Sequence, residues 1–290
     1  MTGLDRQILS ILPDVGAPVL FSDTLVLIKG GGDLASGVVY RLHRSGFPLV
    51  MTELPAPTMV RRAVSFGQAV YDGATTVEGV TARRVPGPGE ALALARQGEV
   101  IPVLVDPAAR SAAILKPVVL VDAIVAKRNT GARLADAPLV IGLGPGFTAG
   151  LDCHAAIETN RGHWLARILY EGSPQPDTKT PGKVKGYRGG RVIRAPASGH
   201  LDPLVQVGDR LRQGDLIGHV DGHEVRAMFD GTLRGLIHPS VPLTTGLKIG
   251  DLDPRDVDRH CFTISEKSLA VGGAVLEAIL AWMNQMANSE

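Results

Sequence analysis

The sequence predicts an α/β protein: a domain built on a parallel sheet, a small all-β domain, and a C-terminal helix that packs back on the first domain. Three observations predict it. Short apolar runs alternate with helix-like segments over residues 1–172. A glycine-rich turn follows the first strand-like run and opens a helix. Over residues 191–252, a pattern of short apolar runs and turn glycines occurs twice. Residues 173–190 read as a linker, and 253–290 as the returning segment and helix.

The chain begins with a short amphipathic stretch, Gln7–Leu12, and a loop. Thr24–Ile28 is an apolar run of strand length that leads into Lys29 and the turn Gly30–Gly37. Leu34, Val38, Val39 and Leu42 keep helical spacing, and Gly46 reads as the helix C-cap. Phe47–Thr52 is a second strand, ending at Glu53. Together these make one βαβ unit of Rossmann-like type. Gly30, Gly32 and Ala35 fit G-x-G-x-x-A, and Glu53 lies 23 residues after Gly30, near where such folds place a ribose-binding acid. The glycines let the backbone approach a phosphate, and the helix N-terminus offers free N–H groups. Asp33 opposes this, because its carboxylate stands where the phosphate would sit; the competing reading is an N-cap on a packing turn. Gly30, Gly32, Asp33 and Glu53 are therefore candidate cofactor-binding residues, and Arg61 and Arg62 candidate anion holders.

Short β-like pieces follow around Gly73 and Gly79, then a helix at Gly89–Gln97. Val100–Val105, Val118–Val125 and Pro138–Ile141 read as three more strands, with Asp106 and Asp122 near their ends. The stretch Gly142–Arg161 then supplies a glycine-rich turn and a polar cluster. Gly144, Gly146, Asn160 and Arg161 are candidate ligand contacts. Cys153–Tyr170 reads as a helix, which puts Cys153 at a helix start beside His154. A thiol in that setting becomes a thiolate nucleophile, with Glu158 and His163 as acid/base groups. Against this, a lone cysteine is often a small buried hydrophobe, and Glu158 and Arg161 at i, i+3 could be a helical surface pair. A zinc site from Cys153, His154, His260 and Cys261 lacks the usual ligand spacing.

The repeat is the most specific structural signal. Arg194-Ala195, Ser198-Gly199, Leu201, Leu204, Leu211, Gly214 and Ile217-Gly218 recur 32 residues later, from Arg226-Ala227 to Ile249-Gly250, with Asp230 replacing Ser198. The unit resembles the biotinyl/lipoyl-carrier β-sandwich. The connection Asp221–Glu224 carries no lysine for a swinging arm, so a docking or lid role is expected instead. Asp251–His260 reads as a solvated acidic loop, Cys261–Ile264 as a short β-run and Leu269–Met286 as a long helix.

Composition narrows the function classes. A net charge of +1 argues against nucleic acid or a membrane surface as an obligate partner. Aromatic residues are 4% of the chain, too few for a base-stacking platform. No continuous apolar run reaches the ~18 residues of a membrane span, and the N-terminus lacks a signal-peptide pattern. A cytoplasmic location is expected, in which two cysteines stay reduced. Exposed β-edges and an apolar terminal helix make a homodimer an open expectation.

The segments LIKGGGDLASGVVYRLHRSGF, VMTELPAPTMVRRAVSF, VDAIVAKRNTG, GLGPGFTAGLDCHAAIETNRGH and CFTISEKSLAVGGAVLEAIL resemble the YqeB-type accessory proteins. These are associated with selenium-dependent molybdenum hydroxylases and are distantly similar to the XdhC maturation factors. The resemblance implies a maturation factor whose partner is a molybdenum hydroxylase apoenzyme or its cofactor. It makes Cys153 a candidate selenium- or sulfur-binding thiolate tuned by His154. It makes the Gly30–Gly37 turn a candidate site for the pyrophosphate of a dinucleotide or molybdopterin-type ligand. An NAD-dependent oxidoreductase and a non-catalytic assembly scaffold are the alternatives.

Overall fold

The computed structural model describes residues 19–177 and 190–289. The stretch Gln7–Leu12 and most of the expected linker lie outside them. The first part of the chain runs β1 (Val26–Lys29), α1 (Asp33–Arg44), β2 (Leu49–Glu53), two 3₁₀ turns at Arg62–Val64 and Phe66–Gln68, α2 (Ala69–Asp72), β3 (Ala74–Val77), β4 (Val80–Arg84), α3 (Pro88–Gln97), β5 (Val100–Val105), α4 (Ala112–Leu115), β6 (Val119–Asp122), β7 (Leu139–Leu143), β8 (Ala155–Ile157) and β9 (Ile168–Leu169). After residue 190 come β10 (Val192–Arg194), β11 (Leu201–Pro203), β12 (Arg210–Leu211), β13 (Leu216–Val220), β14 (His223–Arg226), β15 (Gly231–Leu236), β16 (Lys248–Asp253), α5 (Arg259–Phe262) and α6 (Glu266–Ala287).

β1 to β9 form one sheet in the order β3-β4-β5-β2-β1-β6-β7-β8-β9. The central strands pair in parallel, while the edges β3 and β9 are antiparallel. The expectation of a Rossmann-like parallel sheet is corrected by this mixed sheet and by its connections. A helix of two turns or more crosses over only at β1–α1–β2 and β4–α3–β5; among the described residues, β6–β7 and β7–β8 are joined without an α-helix. The helix expected at Cys153–Tyr170 is absent. Ala155–Ile157 is buried on both faces and extends the sheet, and Ile168–Leu169 folds back on it. Small apolar residues suit either period. The His154 imidazole decides locally: its Nδ1 accepts the Val140 N–H at 2.9 Å, and the His154 N–H donates to the Val140 carbonyl, which fixes this segment beside β7.

Both faces of the central sheet are covered, which explains the continuous apolar runs. Val26, Ile28, Met51 and Val121 pack under α1 and α6, while Leu27, Val50, Leu120 and Val140 pack with α3 on the other face. α1 and α6 meet backbone to backbone. A Cβ on Gly37 would collide with the Ser268 carbonyl, and one on Gly272 with the Gly37 carbonyl. By length and composition alone the helical stretch Arg259–Ala287 could cross a bilayer, in contrast to the expectation from continuous runs. Val271, Val275, Ala278 and Ile279 of this stretch are built into the core beneath the sheet.

The C-terminal strands form a four-stranded sheet, β10-β16-β15-β12, and a three-stranded sheet, β11-β13-β14. The internal repeat is physical, because its halves exchange equivalent bonds. Gly214 N–H donates to the Ala227 carbonyl, and Gly246 N–H to the Ala195 carbonyl, both at 2.8 Å. Likewise Leu211 pairs with Gly231, and Leu243 bridges Gly199.

The expectation of a separate biotinyl/lipoyl-like barrel-sandwich domain is corrected. Val60 and Tyr71, from the first part of the chain, pack into the core of these sheets, and Arg62 Nε donates to the Leu236 carbonyl at 2.7 Å. A repeat specifies its own strands; the surface on which they close comes from a segment with no local signal. Two smaller expectations also change. Asp251 and Asp253 are not solvated: they are buried on β16 facing Arg191, Arg234 and Arg255. Cys261 lies on the short helix α5, not on a β-run.

Candidate functional site

A cleft of about 600 Å³ opens at the carboxyl ends of β1, β2 and β6. There the chain leaves β1 toward β2 on one side, while β6 lies on the other, so the loops diverge and leave a crevice. The glycine turn forms one wall. Thr58–Arg61, Ile124-Val125 and Lys248 form the others.

Each turn residue has a distinct task. Gly30 sits at φ +90°, and its N–H donates to the Thr52 carbonyl at 2.8 Å. Gly31 N–H donates to Glu53 Oε1 at 2.7 Å, and a Cβ there would come within 2.6 Å of the Gly67 nitrogen. Gly32, at φ −71°, is the N-cap of α1; no side chain caps the helix, and a Cβ at Gly32 would meet open space. Among the described residues, no acceptor meets the N–H groups of Gly32, Asp33 and Leu34. Two of the turn's N–H groups are thus used internally, and those at the helix start remain for a ligand.

The charged groups are held in pairs. Lys29 and Asp122 are register neighbours at the ends of β1 and β6; Nζ and Oδ2 are 3.0 Å apart, with both residues buried. Asp33 does not cap its helix but pairs with Arg61 at 3.0 Å. Arg61 also donates to the carbonyls of His260 and Thr263, so it ties the cleft wall to the segment before α6. Glu53 accepts from the N–H groups of Gly31 and Leu54. Burial raises the Glu53 pKa, and the two N–H donors offset part of that rise. Val125, a β-branched residue, sits at φ +54° on the wall, a strained conformation of the kind found at ligand sites. A neighbouring cleft of about 670 Å³ at the ends of β4 and β5 shares Asp106, whose carboxylate accepts the Ser111 N–H at 2.7 Å.

The structure divides the residues singled out in the sequence. Gly30, Gly32, Asp33 and Glu53 meet in the cleft. Gly144 and Gly146 do not line it: they take positive φ and pack against Thr159 and the Arg128 backbone. The chain after β7 turns back before β8 begins, which sets His154 beside Val140 and buries Cys153 near Gly142, and neither residue lines the cleft. Cys153 is 0% exposed, and burial pushes its thiol up to about 11. Cys261 is also buried, and burial raises its thiol. The thiolate reading of Cys153 is therefore corrected: burial and the Asp152 and Asp122 carboxylates disfavour the anion, and the Gly142 N–H offsets only part of that.

His154 uses its Nδ1 lone pair on Val140, so its neutral form carries the proton on Nε2. Glu158 is buried with its two oxygens accepting from the Asn160 and Gln175 N–H groups. Asn160 Nδ2 donates to Gln175, and Arg161 pairs with Glu266. These residues fasten a loop and do not form an acid/base pair. We expect iodoacetamide to label neither cysteine in the native protein at pH 8 and both after denaturation, read by intact-protein mass spectrometry. Native labelling of Cys153 would reverse its assignment as structural.

Sequence reasoning missed Lys29 and Lys248. Lys29 had a signal in hindsight, a cation at the last position of a buried strand, with Asp122 at the equivalent position of another. Lys248 had none of its own.

No protein-family model matches the chain. Among solved structures, the chain is similar to an aspartoacylase family protein from Mesorhizobium loti, with 11% identity, 81% of this chain and 84% of that chain covered, and a TM-score of 0.25. The ectoine utilization protein EutE (DoeB) from Ruegeria pomeroyi shows 11% identity over 79% of this chain and 86% of that chain, at a TM-score of 0.24. Scores this low assign the chain neither a fold nor an activity. In sequence, the chain is 49% identical over 261 residues to the "Uncharacterized protein YqeB" of Escherichia coli (strain K12), covering 90% of this chain and 48% of that protein. The chain is thus similar to YqeB, and spans about half the length of that relative.

Proposed function

We propose that the chain is a cytoplasmic accessory factor in the maturation of a molybdenum hydroxylase, and that it acts by holding a nucleotide- or pterin-like ligand in the cleft. The observation that carries this is the crevice at the diverging ends of β1 and β6, where the free N–H groups of the helix start lie beside the Glu53 and Asp33 carboxylates. Glu53 and Asp33 offer acceptor lone pairs to ring N–H or hydroxyl groups of a ligand. The open helix start offers N–H donors to uncharged oxygen acceptors of a ligand. Because the Gly30 and Gly31 N–H groups are already used, this turn does not form a pyrophosphate cradle. The hydroxylase as partner rests on the sequence resemblance. Selenium or sulfur transfer at Cys153 is not part of the proposal, since that thiol is buried and does not line the cleft.

Gly32→Val tests the reading. Its φ of −71° suits a β-branched residue, and its side chain would project into open cleft. The variant is expected to keep the wild-type melting temperature. It should lose any co-purified ligand in native mass spectrometry and fail to activate the hydroxylase in cells lacking the wild-type protein. Full activation by Gly32→Val would sink the proposal. Gly31→Ala, by contrast, is expected to destabilise the fold, because its methyl group meets the Gly67 backbone.

A further inference from the structure

The cleft is not closed by the first sheet alone. Lys248, the first residue of β16, reaches it from the repeat-built part of the chain. The other charges at the cleft are met from within: Lys29 by Asp122, Arg61 by Asp33, Asp106 by the Ser111 N–H, and Glu53 by two N–H groups. Lys248 is exposed and makes no ion pair or side-chain hydrogen bond with any described residue. It is a cation facing the cleft without a fixed counterion.

The repeat provides an internal comparison. Its 32-residue offset makes Leu216, first residue of β13, the counterpart of Lys248, first residue of β16. The half-buried Leu216 does not line the cleft. The two halves thus keep the same bonds yet differ at the position that, in one of them, meets the cleft.

We propose that Lys248 is a specificity-determining residue of the cleft, and that the ligand carries a phosphate at the mouth where Lys248 meets it. This rests on the cleft reading above and narrows its ligand class: a monophosphate whose uncharged polar end faces Glu53 and Asp33. Lys248 touches the ligand and takes no part in fastening the fold, since no described residue depends on its ammonium. The site is complete only when the repeat-built sheets are docked on the first sheet.

Calorimetry on the full chain tests this with AMP and adenosine as probes, at low and at high salt. The wild type is expected to bind AMP about tenfold more tightly than adenosine at low salt, with the preference shrinking as salt rises. Lys248→Gln should bind the two equally, with adenosine affinity unchanged and no salt dependence; Lys248→Arg should restore the preference. Retention of the AMP preference by Lys248→Gln would overturn the assignment of Lys248 while leaving the cleft reading intact. Wild-type protein that binds neither probe would overturn the monophosphate class, and the Gly32→Val experiment would then decide separately whether the cleft is used at all.

Discussion

Gly37→Ala is expected to destabilise the protein by about 3 kcal/mol, against the usual direction of a glycine-to-alanine change in a helix. In an exposed helix interior that change stabilises by ~0.5–1 kcal/mol. Here the added methyl meets the carbonyl of Ser268, and backbone cannot rotate away as a side chain can. α1 and α6 must move apart, and the core residues beneath them, Val38, Val271 and Val275, lose contact. Gly273→Ala, one position from Gly272 on α6, is the control: its Cβ would meet nothing, so a small stabilisation is expected. Urea denaturation of the two variants checks the opposite signs. Equal effects would show that the helices do not pack this closely.

Asp122→Ala should have the other large effect. It leaves the Lys29 ammonium buried at the end of β1 with its partner gone. Removing one member of a buried pair costs about 3–5 kcal/mol, whereas replacing both by apolar residues of similar volume is often near neutral. Lys29→Met/Asp122→Leu is therefore expected to recover most of the stability lost in Asp122→Ala. The double variant should still lose ligand binding, because the Lys29 position that lines the cleft has become apolar. Chemical denaturation separates the single and double variants, and calorimetry reads the binding. A double variant as unstable as Asp122→Ala would mean that the pair contributes specific hydrogen bonding that apolar packing cannot replace.

What could be read in the sequence follows from how local each feature is. β1, α1, β2 and the glycine turn lie within one short stretch, and half of the cleft came with them. The strands β5, β6 and β7 are legible because burial on both faces leaves continuous apolar runs. Lys29 and Asp122 are 93 residues apart, and only the strand order makes them partners. Cys153-His154 suggests chemistry by adjacency, yet the Ala-Ala-Ile that follows is equally apolar as strand or helix. Choosing helix puts the thiol at a helix start near a ligand; choosing strand buries it in the core with Leu120, Val140 and Phe147. The 32-residue repeat was visible from spacing, but its docking on Val60 and Tyr71 was not, because those residues carry no pattern beyond their own apolarity.

The reciprocal bonds between the two repeats make the C-terminal part an intramolecular dimer. The copies exchange strands: β10 and β12 of the first complete the sheet of the second, and β14 of the second completes that of the first. Neither copy, cut at the tip of the Asp221-Gly222 turn, retains a closed set of backbone bonds. A chain bearing one copy would therefore have to recruit its complement from another molecule, and the covalent link between the copies replaces that second-order encounter with a local one.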